Sequence, residues 1–327
     1  MSVIQGPLSE ALVESETSTT PERTRPGGLR GEPAWRRRDR RWGYIFVGPQ
    51  LLGMALFVLV PFAASVVLAF AKWDGLNALS WVGLDNFATE LTDPLFGRSV
   101  LNTLLIALIT VPVGLGLAVV IAVALERLKT KTLYLILFFA PVVTSSVAVA
   151  MIWQQLFRKD GVISGFISSV FHVPPPDWLG DPHLALIAVC IVSIWSSLGL
   201  NIIIFLAGLQ NISPSVVEAA RIDGAGAITM FFRIRLPLLS PIIFFSTVIA
   251  FISSLQTFDT VFILTANAGP DNATRTIVYH IYDLGFGKFQ FGPASAASVI
   301  LLIITLVITG IQFTAQKKFV HYEDGAA

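Results

Sequence analysis

Cys190 and four histidines, His172, His183, His280 and His321, are the side chains in this sequence best suited to nucleophilic or metal chemistry. They are scattered, with neither the spacing of a zinc site nor the pairs of a disulfide framework. A phosphate cradle needs a glycine-rich loop ending in Gly-Lys-Ser/Thr. The one Gly-Lys pair here is Gly287-Lys288, and Phe289 follows it. No catalytic residue and no metal ligand set is therefore expected. What remains is a set of polar and aromatic residues stranded in apolar text. Asp259 has Gln256 one turn before it, Asn201 follows Trp195, and Gln154 and Gln155 follow Trp153. Polar groups in such surroundings are costly and often functional. Each also has a plainer role: Trp153 as an interfacial anchor, Asn201 as a bond across helices, Asp259 as the partner of a base or a loop amide. Trp195 and Asn201 are about 600° apart around a helix, so they do not share a face.

The elements that must position these residues are apolar. Of 327 residues, 54% are hydrophobic and 13% charged, with a mean hydropathy of +0.74. Soluble domains carry about 25% charged residues. The apolar residues are gathered, because six windows lack Asp, Glu, Lys and Arg altogether: 42–71, 99–125, 132–157, 184–217, 236–258 and 289–316. Each supplies the roughly 20 residues needed to cross a bilayer core, and runs of that length cross as helices. The reading is all-α and polytopic, with six spans near 44–70, 100–124, 133–156, 184–208, 240–264 and 293–314. Pro61, Pro112 and Pro141 fall inside spans, where they can kink a helix.

Charge sets the expected orientation. With both termini in the cytoplasm, sixteen of the 22 Lys and Arg residues lie inside and six outside, as the positive-inside rule favours. Residues 1–41, rich in Ser, Thr, Pro, Gly and charge, read as a disordered cytoplasmic tail, and 319–327 as a second tail. No signal-peptide pattern is seen, and five spans after the first argue against a twin-arginine leader at Arg40-Arg41. The arginine cluster beside a span points to orientation rather than to nucleic acid.

One inside segment, 209–238, interrupts this pattern with "NISPSVVEAARIDGAGAITMFFRIRLPL" inside it. Ser213-Pro214 can start a helix as N-cap and first residue; Ser215 with Glu218 fits a capping box one register later. Residues 215–223 allow only about two turns before Gly224 and Gly226, and so short a helix is marginal in water unless something packs on it. Ala219 and Ala220 leave a shallow surface for close approach. An ordinary loop with charge bias would also explain these residue types.

The order of residues adds a resemblance. Glu218-Ala219-Ala220, then Gly224, Ile234 and Leu236-Pro237 at this spacing resemble the EAA signature of binding-protein-dependent ABC transporter permeases. "WVGLDNF" (81–87), "LNTLLIALITVPVGLGLAVVIA" (101–122), "PVVTSSVAVAMIWQQLF" (141–157), "FLAGLQNISPSVVEAARIDGA" (205–225), "LQTFDTVFILT" (255–265) and "YDLGFGKFQFGPASAASVILLII" (282–304) are similar to the carbohydrate-uptake branch. The likeness spans roughly 44–316 and departs at "TANAGP" (265–270), where that branch more often has a double glycine.

The resemblance implies a type I ABC importer permease fold with a domain over 42–318, a core near 99–314 and a coupling loop at 209–238. It implies a plasma-membrane location and a coupling helix that docks on cytoplasmic ATPase subunits through Glu218, Ala219, Ala220, Gly224, Ile234, Leu236 and Pro237. ATP and Mg would bind there, with no cofactor on this chain. A second permease, most often a different one, an extracytoplasmic solute-binding protein and membrane lipid complete the expected partners. The cargo is expected to be a sugar or related solute, for whose path Asp259, Gln256, Asn201 and Trp195 are the candidates. An ion-gradient transporter would show internal repeats with interrupted spans, and no repeat is visible. A membrane-embedded enzyme would need the clustered groups that are missing.

Overall fold

The computed structural model describes residues 34–266 and 268–319. The chain divides into two compact units, Met1–Pro61 and Phe62–Ala327. In the first lie helix α1 (Ala34–Met54) and a π-helical stretch (Ala55–Leu59), from which α2 (Val60–Leu68) continues into the second unit. The helix thus starts at Ala34, eight residues inside the segment expected to be a disordered tail. Arg and Trp are acceptable helix formers, and the apolar run that follows supplies the nucleus on which they extend. The rest of that tail lies outside the described residues, as does the second tail beyond Phe319.

Two long helices form the heart of the second unit. Helix α3 (Asp85–Thr92) precedes α4 (Pro94–Glu126), and α5 (Lys131–Val143), α6 (Ser146–Leu156) and α7 (Val162–Phe171) lead to α8 (Pro182–Gln210). Helices α4 and α8 start by the same chemistry. Asp93 accepts from the Leu95 N–H, Asp181 accepts from those of His183 and Leu184, and a proline follows each cap. They bury one another's apolar faces through Val111, Leu115, Ala118 and Ala122 of α4 and Leu198, Ile202, Phe205 and Leu209 of α8.

Beyond α8 the chain forms the short α9 (Pro214–Ile222) and α10 (Ala227–Thr229), a π-helical stretch (Met230–Arg235) and α11 (Leu236–Leu238). Helix α12 (Ser240–Leu255) then packs on α4 and α8. Helix α13 (Asp259–Leu264) packs on α6, and α14 (Ile277–Tyr282) precedes the last long helix, α15 (Phe291–Phe319).

Among the described residues four helices are long and apolar enough to cross a membrane: Trp42–Leu68, Pro94–Glu126, Pro182–Gln210 and Phe291–Gln316. The other two expected spans are broken. The third bends by 103° between Val143 and Ser146, so 133–156 is two helices. The fifth, expected over 240–264, is interrupted at 256–258, with α12 ending at Leu255 and α13 starting at Asp259, and a further bend of 68° separates α12 from the preceding Ala227–Leu238. Pro112, by contrast, sits within an unbroken α4.

The segments between spans at 71–99 and 265–292 are folded against each other. Strand β1 (Ala71–Lys72) pairs antiparallel with β2 (Ser80–Trp81), a two-residue exception to an otherwise helical fold. Asn86 Nδ2 donates to the carbonyls of Ala69 and Ala71, both at 2.9 Å. Asn102 Nδ2, within α4, donates to the carbonyls of Asn272 and Arg275, each at 3.1 Å. In "TANAGP", Ala266 and Ala268 take left-handed φ values of 36° and 69°, beside Gly269 at 72°. Alanines are strained there, and the turn is held by the Gly269 N–H to the Thr265 carbonyl.

Candidate functional site

Two regions carry the chemistry. The first is the polar interruption. Ser213 and Pro214 open α9 as expected, although no side chain caps it, and the Ser213 and Ser215 hydroxyls bond each other at 2.7 Å. The helix ends in a Schellman arrangement: the Ala225 N–H reaches the Ala220 carbonyl at 2.9 Å and the Gly224 N–H that of Arg221 at 3.1 Å. Gly224 has φ +80° with open space around the position of a Cβ, so conformation, not crowding, demands glycine here. Glu218, Ala219 and Gly224 are exposed, Ala220 is buried, and Ile234, Leu236 and Pro237 are half-buried. Around them Ile222, Ile228 and Phe232 stand in the open, Ile222 at 86% exposure. Large apolar side chains gathered in a polar loop make a surface suited to being covered.

This loop is also tied to a span. Arg235 Nη1 lies 2.7 Å from Glu126 Oε2 at the end of α4, with the arginine side chain 5% and the glutamate 25% exposed. The approach is too oblique for a hydrogen bond, so attraction of charge holds it. In the sequence Arg235 stands out only as part of the charge bias of an inside segment. Its one available signal was an acid at the end of one apolar run and a base just before another.

The second region is a cavity of about 280 Å³ between α4, α8 and α12. Helix α8 lines it with Ser193, Ser196, Ser197, Leu200, Asn201 and Ile204, and α12 with its exit lines it with Ser246, Ile249, Ala250, Ser253, Ser254 and Thr257. Both sets follow the offsets 0, 3, 4, 7, 8 and 11, one face of a helix, with Phe245 of α12 beside the second. Thr110 and Gly114 of α4 join them. Thr110 Oγ1 and Ser254 Oγ are 3.2 Å apart, and Asn201 Nδ2 donates to the Ser197 carbonyl at 3.0 Å.

Of the expected path residues, Asn201 lines this cavity and the other three do not. Trp195 packs edge-on to Trp153 with centroids 5.4 Å apart. Gln256 caps α12 in an exposed position, and Asp259 accepts from Ser146 Oγ at 2.5 Å. Gln154 donates to the carbonyls of Ile263 and Leu264, a tie between α6 and α13. The serines were overlooked because one hydroxyl in an apolar run is unremarkable; the shared period was the available signal.

A third cluster is buried on the 71–99 and 265–292 side. His280 Nε2 lies 2.8 Å from Glu90 Oε2, and the Arg275 guanidinium lies 3.2 Å from His280 Nδ1 and 2.6 Å from Asp283 Oδ2. Arginine only donates, so Nδ1 accepts and Nε2 carries the proton given to Glu90. Burial pushes the Asp283 carboxyl up, but the Arg275 hydrogen bond and the Arg275 and Lys288 charges outweigh it and hold it below the usual carboxylate range. Glu90, Asp93 and His280 also bring donor atoms within 4.8 Å of one another. A metal-bound histidine donates its second N–H to an acceptor, whereas here the second nitrogen faces a cation. The cluster suits a clamp between α3 and α14 better than a metal site.

The model of the family described as binding-protein-dependent transport system inner membrane component matches residues 111–320. The probable ABC transporter permease protein YesP of Bacillus subtilis (strain 168) is 38% identical, over 88% of this chain and 94% of its own. The lactose transport system permease protein LacF of Rhizobium radiobacter is 32% identical, over 84% and 94%. A crystal structure of a bacterial alginate ABC transporter, in complex with an alginate pentasaccharide-bound periplasmic protein, shares the fold. Its TM-score is 0.75 at 23% identity, covering 87% of this chain and 97% of that one.

Proposed function

The chain belongs to the family of binding-protein-dependent transport system inner membrane components, and from that premise we propose that it forms part of a sugar path driven by a separate cytoplasmic ATPase. The observation that carries the reading is a physical link. The exposed Glu218-Ala219 face leads through the π-helical stretch to Arg235, whose ion pair with Glu126 grips the end of α4. Helix α4 in turn presents Thr110 and Gly114 to the hydroxyl-lined cavity. A push on the loop therefore reaches the wall of the cavity through packed elements.

In this reading α9 is the coupling helix, and ATP with Mg binds and is hydrolysed on the ATPase subunits. A solute-binding protein delivers the cargo on the 71–99 and 265–292 side, and a second, different permease completes the path. The charge count supports both termini in the cytoplasm of a plasma-membrane protein. A carbohydrate cargo is supported by the lactose relative and by a cavity rich in hydroxyl partners. Asn201 is the strongest of the four path candidates because it lines that cavity.

Gly224→Val and Ala219→Lys test it. Valine at φ +80° is strained by roughly 1–2 kcal/mol or more, and lysine places a long charged chain on the small-residue face. Purified complexes of both variants should carry less ATPase per permease and take up less solute, while membrane yield is kept. Gly224→Asn, which tolerates this φ better, should fall less. Full recruitment with full uptake in both variants would refute the coupling assignment.

A further inference from the structure

We infer that this chain's share of the path is built for an uncharged polyhydroxylated solute and against anionic ones such as phosphorylated or uronate sugars; the inference rests on the permease reading. The cavity between α4, α8 and α12 is lined by hydroxyls, one amide and apolar side chains, with no Asp, Glu, Lys, Arg or His among its lining residues. Ser197 and Ser253 present exposed hydroxyls to it, whereas the Ser246 Oγ is closed off from the cavity and has no hydrogen-bond partner. Thr110, Ser254 and Asn201 offer further neutral partners within the same wall.

Charge decides the class of ligand. A phosphate or carboxylate moved from water into such a site needs a cation or several aimed N–H donors to offset its lost hydration. The bases nearest in function, Arg235 and Arg275, are each committed to an acid, Glu126 and Asp283, away from the lining. A neutral sugar needs only what is there: hydroxyl and amide groups that both donate and accept.

The test uses the assembled transporter in membrane vesicles carrying Ser253→Cys or, separately, Ser197→Cys, two exposed positions of the lining. The unmodified chain, whose one cysteine is the buried Cys190, sets the background. Methanethiosulfonates of similar size, one uncharged, one sulfonate and one ammonium, react with each cysteine by thiolate attack on sulfur. A disulfide forms and a sulfinate leaves. Rates are divided by those with free cysteine in solution. Both charged reagents should then be slower than the uncharged one by about tenfold or more. Either charged reagent within that factor overturns the inference, as does failure of the uncharged reagent to react at both positions. Failure of the permease reading would show separately, as absence of ATP-dependent uptake by the unmodified vesicles, and the labelling ratios do not depend on uptake.

Discussion

Arg235 and Glu126 show how one pair of residues joins two distant parts of the chain. Removing one member of a fully buried ion pair costs about 3–5 kcal/mol, because it strands the other charge; here the figure is lower, since Glu126 keeps 25% of its side chain exposed. Glu126→Ala leaves the arginine among Val123, Phe231 and Phe232, which line the groove it shares. The expected outcome is that Glu126→Ala and Arg235→Met each lower the thermal unfolding midpoint and uptake, while the double variant recovers much of the midpoint but not the uptake. Additive losses of midpoint in the double variant would show that the two charges do not interact. Nothing near Arg235 in the sequence names its partner, since a contact between residues 126 and 235 exists only after the spans have packed. The motif Glu218-Ala219-Ala220 with Gly224 was legible for the opposite reason: a Schellman ending is local, and glycine at positive φ leaves a mark in the sequence itself.

At the scale of elements, hydropathy located every apolar run and missed where the runs break. The 103° bend sits at Thr144-Ser145, with Pro141 just before it. A window average treats those residues as part of one span. Helix α12 likewise stops at Leu255 although the apolar text runs on to Phe258. What holds α5 in place is a close approach to α8 at Gly199. A Cβ there would overlap the Phe138 carbonyl oxygen, which is backbone and cannot turn aside. At Gly208 the obstacles are the side-chain ends of Ile242 and Leu239, which can rotate. Overpacking costs typically about 1–3 kcal/mol, and a backbone obstacle belongs at the upper end. Gly199→Ala should therefore lower the unfolding midpoint of the purified protein clearly, and uptake with it, because Val142 of α5 lines the cavity. Gly208→Ala should do so much less. Equal midpoints for the two variants would mean that α5 and α8 are free to separate.

At the scale of the molecule, the all-α polytopic character was plain from composition, and the positions of the long helices nearly so. The folded 265–292 segment was not, because Arg275, His280 and Asp283 look like ordinary loop residues until Glu90 is brought against them. The central claim is that energy enters through the cytoplasmic loop from ATP, since this chain has no phosphate cradle of its own. The direct measurement is solute uptake by intact cells under two separate conditions. In one, the partner ATPase is inactivated by substitution in its own phosphate loop; in the other, the proton gradient is collapsed while ATP is maintained. The account predicts that uptake stops in the first and persists in the second. Uptake that survives loss of the ATPase and follows the gradient would contradict it.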